Sequence, residues 1–216
     1  RDYLLLMWYS REPEKCPKYK ISCIEHPGPD LSHNSVPFIS ETVSKPNYSF
    51  TIDELEVKGQ FMDQIVLANK EIVLCDLYSY FYHIEYEPVL TITRSRERYA
   101  APGRVQAFSW CNVSRSDGEY IFICGGLVGK NKTILGTWKM YNCSTKEFVA
   151  EGNLAIPRFY HSCQVTSNNR VLITGGKNTT RMFVQGSVMK SIEFVDIDSN
   201  STQTSQLEMN NPRNLH

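Results

Sequence analysis

The sequence lacks a net charge, long hydrophobic runs and any sustained helical periodicity. Its 216 residues include 23 lysines and arginines against 23 aspartates and glutamates. This balance removes the usual electrostatic reason to expect nucleic acid or an anionic membrane as a partner. The longest early apolar run, at 3–9, is much shorter than the roughly 18 residues that a membrane helix needs. We therefore expect a globular chain with neither nucleic-acid nor membrane partners.

Motifs of catalysis and metal binding are also missing. The glycine-rich segment 125–130 lacks the spacing of a phosphate loop, and no Ser or Thr follows its lysine. No Gly-x-Ser-x-Gly motif occurs. Cys16, Cys23, His26 and His33 form a run of possible zinc ligands, but without the short Cys-x-x-Cys spacing that usually opens such a site. We predict no catalytic, cofactor-binding or metal-binding residues.

Cysteines and sequons give opposite indications of the compartment. Cys75, Cys124 and Cys163, three of seven cysteines, lie in or beside apolar runs, which suits small buried thiols in a reducing compartment. Six Asn-X-Ser/Thr sequons would suit a secreted glycoprotein, although turns between strands also collect Asn, Ser and Thr. The sequons begin at Asn47, Asn112, Asn131, Asn142, Asn178 and Asn200. We expect a cytoplasmic location and keep the extracellular glycoprotein as an alternative.

Short runs rich in Val, Ile, Tyr, Phe and Thr dominate what is present, and clusters of Gly, Asn, Asp and Ser separate them. This pattern predicts strands and an all-β fold. The predicted strands are Gln64 to Ala68, Glu71 to Cys75, Tyr80 to Tyr86, Val105 to Trp110, Tyr120 to Cys124, Thr137 to Tyr141, Glu147 to Ala150, Ser162 to Thr166, Arg170 to Thr174, Ser191 to Ile197 and Thr202 to Leu207.

Two sequence words recur in the same order. Gly125-Gly126 and Gly175-Gly176 each follow an apolar run, and the two doublets are 50 residues apart. The word at 157–161, Pro-Arg-Phe-Tyr-His, is echoed at 212–216 by Pro-Arg-Asn-Leu-His. A period near fifty residues is typical of propellers. The repeat therefore favours a β-propeller over a sandwich or a barrel.

This repeat resembles the kelch repeat, in which a double glycine follows an apolar strand and a Pro-Arg-x-x-His word often joins successive units. The resemblance implies four-stranded blades around a central channel. The third-strand Tyr of the family corresponds to Tyr141 and, with a departure, to Val195; Phe148 and Thr202 replace its fourth-strand Trp. The residues that the resemblance makes structural are Gly125, Gly126, Gly175, Gly176, Tyr141, Arg158, His161, Arg213 and His216.

The resemblance divides the chain into blades. Residues 104–157 and 158–216 are predicted kelch blades, the second truncated at its junction with the next. Residues 61–103 are predicted as a degenerate blade, with Arg104 where the next Pro-Arg arginine belongs. Residues 1–60 are a proline-rich lead-in or another degenerate blade. Because the chain begins with Arg and ends within a repeat word, we expect a propeller segment that is incomplete at both ends.

The resemblance implies a non-catalytic scaffold that binds other proteins through the loops of the propeller faces. A structural component of a cytoskeletal or ciliary assembly is the function we expect. One alternative is a substrate-capturing adaptor of a ubiquitin ligase. Another is a metal-dependent oxidase on the same fold, although no distinct His-Tyr cluster beyond the junction words is present. Further blades of the same chain, outside this segment, are expected as additional partners.

Overall fold

A computed structural model describes the chain in eight stretches, at 3–10, 18–25, 48–51, 61–69, 71–85, 91–100, 103–181 and 187–213. The chain divides into two compact units, Arg1–Gln60 and Phe61–His216. Every regular element within the described stretches is a β-strand, and all strand pairs are antiparallel. None of these stretches forms a helix that could span a bilayer. The all-β prediction is confirmed.

The first unit contains a three-stranded antiparallel sheet in the order β1-β2-β3. Its strands are β1 (Tyr3–Ser10), β2 (Lys18–Glu25) and β3 (Tyr48–Thr51). Residue 23, the second of the possible zinc ligands, lies in β2, whereas Cys16, His26 and His33 fall outside the described residues. The choice between a lead-in segment and a degenerate blade for residues 1–60 therefore stays a prediction.

The second unit opens with a four-stranded sheet, here called sheet 2, in the order β4-β5-β6-β7. Its strands are β4 (Phe61–Val66), β5 (Ile72–Asp76), β6 (Tyr80–Glu85) and β7 (Thr91–Arg98). The buried Asp76 carboxylate forms the tight turn between β5 and β6, because its Oδ1 accepts the backbone N–H groups of Tyr78 and Tyr80, both at 2.9 Å. Ser79 completes the turn at a φ of 61°.

Sheet 3 follows in the order β14-β13-β10-β9, and sheet 4 in the order β15-β16-β17-β18. Both are simple meanders of four antiparallel strands. The strands of sheet 3 are β9 (Ser109–Arg115), β10 (Gly118–Cys124), β13 (Thr137–Asn142) and β14 (Glu147–Asn153). Those of sheet 4 are β15 (Ser162–Val165), β16 (Arg170–Thr174), β17 (Ser191–Asp196) and β18 (Ser201–Glu208).

A small three-stranded sheet lies beside sheet 3 and corrects one sequence prediction. The predicted strand Val105 to Trp110 is divided in two: β8 (Val105–Gln106) pairs with β11 (Leu127–Val128), which also pairs with β12 (Thr133–Ile134). Ala107 separates β8 from β9 because its φ of 55° interrupts the extended chain. The turn between β9 and β10 is tight, since Arg115 and Gly118 face each other in the ladder.

Sheet 3 is buried on both faces, which explains its nearly continuous apolar central strand. Ile121 and Ile123 of β10 belong to the core shared with sheet 2. Phe122 and Cys124 point the other way, into the core shared with sheet 4. Alternate side chains of a strand leave opposite faces, so only an unbroken apolar run can fill two cores. Sheets 2, 3 and 4 therefore pack in sequence order, with sheet 3 in the middle.

Candidate functional site: the sheet junctions and a cationic cavity

The two glycine doublets occupy backbone conformations that favour glycine. The φ angles are 61° at Gly125, 106° at Gly126, 66° at Gly175 and 91° at Gly176. A Cβ at Gly126 would lie only 2.9 Å from the carbonyl oxygen of Gln106. Positive φ and close backbone approach are the two properties that only glycine supplies without cost. Both doublets therefore end a central strand and turn the chain away from its sheet.

The first doublet starts a set of four backbone hydrogen bonds that joins sheet 3 to the segment entering sheet 4. Gly125 N donates to Thr137 O at 3.0 Å, and Gly126 N donates to Arg158 O at 2.8 Å. Gly126 O then accepts from Leu135 N at 2.8 Å, and Leu135 O accepts from Arg158 N at 3.2 Å. The arginine of the Pro-Arg-x-x-His motif, Arg158, is thus bound to the doublet through its backbone.

The second doublet makes the same four bonds. Gly175 N donates to Ser191 O at 3.2 Å, and Gly176 N donates to Arg213 O at 2.8 Å. Gly176 O accepts from Met189 N at 2.9 Å, and Met189 O accepts from Arg213 N at 3.4 Å. The sequence repeat is therefore also a repeat of backbone hydrogen bonds, in which Arg158 and Arg213 take equivalent positions.

The side chain of Arg158 is fully buried and joins sheet 3 to sheet 4. Its Nη1 donates to the carbonyl of Gly175 at 3.0 Å, and its Nη2 forms an ion pair with the equally buried Glu193. The carboxylate of Glu193 also accepts the backbone N–H groups of Ala155, at 2.8 Å, and Ile156, at 3.1 Å. A planar five-donor group can satisfy several such acceptors at once. Arg213, by contrast, is exposed.

Tyr99 takes the corresponding place between sheets 2 and 3, where the sequence predicted Arg104. The buried Tyr99 hydroxyl lies 3.1 Å from Gly125 O and 2.8 Å from Thr137 O. It therefore reaches the carbonyl of Gly125, the first glycine of its doublet, just as Arg158 reaches the carbonyl of Gly175, the first glycine of the other doublet. Arg104 is exposed and lies elsewhere. No sequence signal indicated Tyr99, because a tyrosine does not match the arginine of the repeat word.

The predicted junction histidine and third-strand tyrosine are both buried. His161 Nε2 lies 3.2 Å from Cys124 Sγ, whereas His216 falls outside the described residues. The Tyr141 hydroxyl lies 2.8 Å from His83 Nε2, and His83 Nδ1 pairs with the carboxylate of Glu71. This Glu–His–Tyr chain joins sheets 2 and 3 through the core. Burial opposes ionisation of the Glu71 carboxyl, but the hydrogen bond and electrostatic attraction of His83, together with Asn69 and Lys146, lower its pKa.

Tyr82 is a further buried tyrosine, and its hydroxyl makes the stability of the fold depend on pH. Burial, and then the charge of Asp76, raise the pKa of Tyr82 from its usual 10 to about 12. A raised folded-state pKa stabilises the fold below pH 10, and this contribution is lost as the pH rises from 10 to 12. We expect Tyr82→Phe to reduce the alkaline loss of unfolding free energy by on the order of 1–2 kcal/mol.

The measurement is urea denaturation of wild type and variant at pH 9 and pH 11.5. Tyr160→Phe, which removes a hydroxyl from a side chain that is 39% exposed, is the control for the loss of a tyrosine hydroxyl as such. If Tyr82→Phe loses as much stability between the two pH values as the wild type does, the hydroxyl does not carry the effect.

A cavity of about 540 Å³ opens between the β5–β6 turn, β8 and the β11–β12 hairpin. Tyr78 contributes from the turn, Arg104 from the segment before β8, and Lys130 and Lys132 from the hairpin. The buried Leu127 adds apolar surface. The cavity follows directly from the first doublet, because the turn at 125–126 sends the chain into the hairpin that forms one wall.

The cavity is cationic. Among the described residues that line it, three carry a positive charge and none carries a negative charge. Within the described residues, neither Arg104 nor Lys130 nor Lys132 forms an ion pair. The Arg104 guanidinium instead lies over the ring of Tyr78, 5.8 Å from its centroid. A concave group of cations without anionic partners is suited to an anionic ligand.

The part of the chain that the structure describes contains no candidate metal site. There, no group of three or more His, Cys, Asp or Glu residues is placed to hold a metal ion.

No protein-family model matches the chain, and no curated protein is detectably similar to it. The resemblance of the repeat to a known family therefore stays a prediction that depends on this chain's own residues and hydrogen bonds.

Proposed function

We propose that residues 61–216 are a segment of a kelch-type β-propeller that serves as a non-catalytic protein-interaction scaffold. In this proposal sheets 2, 3 and 4 are successive blades, with boundaries at 61–103, 104–157 and 158–216. The observation that carries it is the repeated set of four hydrogen bonds around the doublets at Gly125-Gly126 and Gly175-Gly176. Stacked sheets with the same junction are what a blade repeat requires.

The outer face of sheet 4 supports the expectation of further blades. Leu172 and Phe194 are only half-buried there. Their equivalents in sheet 3, Phe122 and Met140, are almost completely buried in the core shared with sheet 4. A sheet of the same build packed on sheet 4 would cover this apolar surface as sheet 4 covers sheet 3.

The buried polar groups support a scaffold rather than an enzyme. Arg158, Glu193 and Tyr99 are each fully engaged in holding one sheet to the next. The loops, in contrast, carry the cations of the cavity. Binding residues are commonly presented on loops by a rigid framework. We propose that the loops at the propeller faces bind the partner proteins, and that the larger assembly is cytoskeletal or ciliary.

A fractionation experiment tests the scaffold proposal in the native source. The tagged chain should co-sediment with the detergent-insoluble cytoskeletal fraction and purify with a defined partner in fixed stoichiometry. A soluble complex with a ubiquitin ligase would instead favour the adaptor alternative. Metal analysis of the same purified material supplies the opposing readout: one equivalent of copper or iron would overturn the scaffold in favour of the oxidase. A mobility shift on glycosidase treatment would favour the extracellular glycoprotein.

A further inference from the structure

We infer that the cationic cavity lined by Tyr78, Arg104, Leu127, Lys130 and Lys132 binds an acidic peptide segment of a partner protein. This inference rests on the proposed scaffold function and assigns that function a ligand chemistry and a location. The chain as a whole is neutral, so three cations in one concavity, without an ion pair among the described residues, form a local excess of positive charge. Such an excess favours an anionic ligand.

Arg104 is the residue best placed to orient a carboxylate. Its backbone carbonyl is held by the N–H of Gly129 at 2.9 Å, which ties the segment before β8 to the hairpin. Its guanidinium lies over the Tyr78 ring, which limits the conformations of the side chain without using its N–H donors. A guanidinium held in this way can form two parallel hydrogen bonds with a carboxylate.

The two lysines are held on a tight loop rather than on a mobile tip. Lys132 has a φ of 52°, Gly129 has a φ of 73°, and Lys132 N donates to Gly129 O at 3.3 Å. A closed turn places Lys130 and Lys132 on the same wall of the cavity. Their ammonium groups supply charge without a fixed geometry, so they suit a second acidic side chain near the one bound by Arg104.

The size and lining of the cavity favour a peptide over a nucleic acid. Its volume of about 540 Å³ lies within the range of about 300–1,000 Å³ that is usual for ligand pockets. Leu127 provides an apolar surface for a neighbouring peptide side chain. Nucleic-acid sites instead use extended basic stripes with aromatic rings open for stacking. Here the charge is local, and Arg104 covers the ring of Tyr78.

The experiment measures fluorescence polarisation of a labelled nine-residue peptide that has four glutamates around one leucine. We expect saturable binding that weakens with added salt, and binding about tenfold weaker to the variant Arg104→Gln/Lys130→Gln/Lys132→Gln. The control Arg181→Gln/Lys190→Gln/Arg213→Gln removes the same charge from exposed positions outside the cavity and should bind as the wild type does. A peptide with glutamine in place of glutamate should not bind.

Three outcomes of the peptide assay would overturn the inference: equal binding of the glutamine peptide, unchanged binding by the cavity variant, or tighter binding of a single-stranded oligonucleotide. A version with phosphoserine in place of glutamate distinguishes phosphate from carboxylate as the preferred anion. Equal thermal midpoints of the two triple variants establish that both are folded. If the native partner still purifies with the cavity variant, the inference fails while the scaffold proposal stands.

Discussion

Replacing Arg158 by methionine is expected to lower the free energy of unfolding by about 3–5 kcal/mol. The substitution leaves the Glu193 carboxylate fully buried without its cation and removes the donor to Gly175 O. An unpaired charge in the core is far more costly than the lost attraction itself, because the group keeps its desolvation penalty. The effect is large because both partners of this pair are inaccessible to water.

The measurement is urea denaturation at neutral pH, with Glu151→Gln as the control. Glu151 pairs with Lys139 at 3.5 Å, but its side chain is 74% exposed, so its removal should cost less than about 1 kcal/mol. The double variant Arg158→Met/Glu193→Leu should recover only part of the loss, since the N–H groups of Ala155 and Ile156 lose their acceptor. A loss below 1 kcal/mol for Arg158→Met would mean that the buried pair does not hold the sheets together.

The substitution Gly125→Ala is expected to cost about 2–6 kcal/mol. One part is the φ of 61°, which an alanine adopts only with strain of about 1–3 kcal/mol. The other part is steric, because the new Cβ would lie 2.4 Å from Arg158 O and 2.5 Å from His161 Cε1. Relief requires movement of the backbone at the start of the next sheet, at a typical overpacking cost of about 1–3 kcal/mol.

Gly118→Ala is the control that introduces backbone strain without a steric clash. Gly118 also has a positive φ, of 147°, but the nearest atoms to its Cβ position are 4.0 Å away, on Ser144 and Tyr120. Alanine at this position meets backbone strain without a clash, so Gly118→Ala should cost clearly less than Gly125→Ala in the same denaturation series. A loss for Gly125→Ala no larger than the roughly 1–3 kcal/mol of backbone strain would show that the close approach of Arg158 and His161 contributes nothing to the requirement for glycine.

Sequence patterns predicted the parts of the fold that depend on local chemistry. Alternating and continuous apolar runs located the central strands, including β10 and β16, because burial on one face or two leaves a direct trace in composition. The doublet glycines were identified from their place after those strands, and each of them has a positive φ angle. Turn residues such as Asn142, whose Oδ1 accepts from Ser144 N at 2.9 Å, also followed the pattern.

The parts that were not predicted depend on contacts between distant residues. Val105 and Gln106 looked like the start of β9, and only their pairing with β11 explains why the chain turns at Ala107. The cavity was not predicted because Tyr78 and Lys132 are far apart in the chain and neither belongs to a motif. Glu193 appeared as one acidic residue within a strand, and its role became visible only with Arg158 opposite it.

The contacts of Tyr99 and Arg158 have a consequence for how such repeats are recognised. Both side chains donate to the carbonyl of the first doublet glycine in the following sheet, although one is a neutral phenol and the other a guanidinium. The two contacts share the acceptor, which is a main-chain carbonyl and therefore does not determine the type of the side chain that donates to it. A pattern that requires arginine would therefore include Arg158 and miss Tyr99, although both side chains reach an equivalent glycine carbonyl.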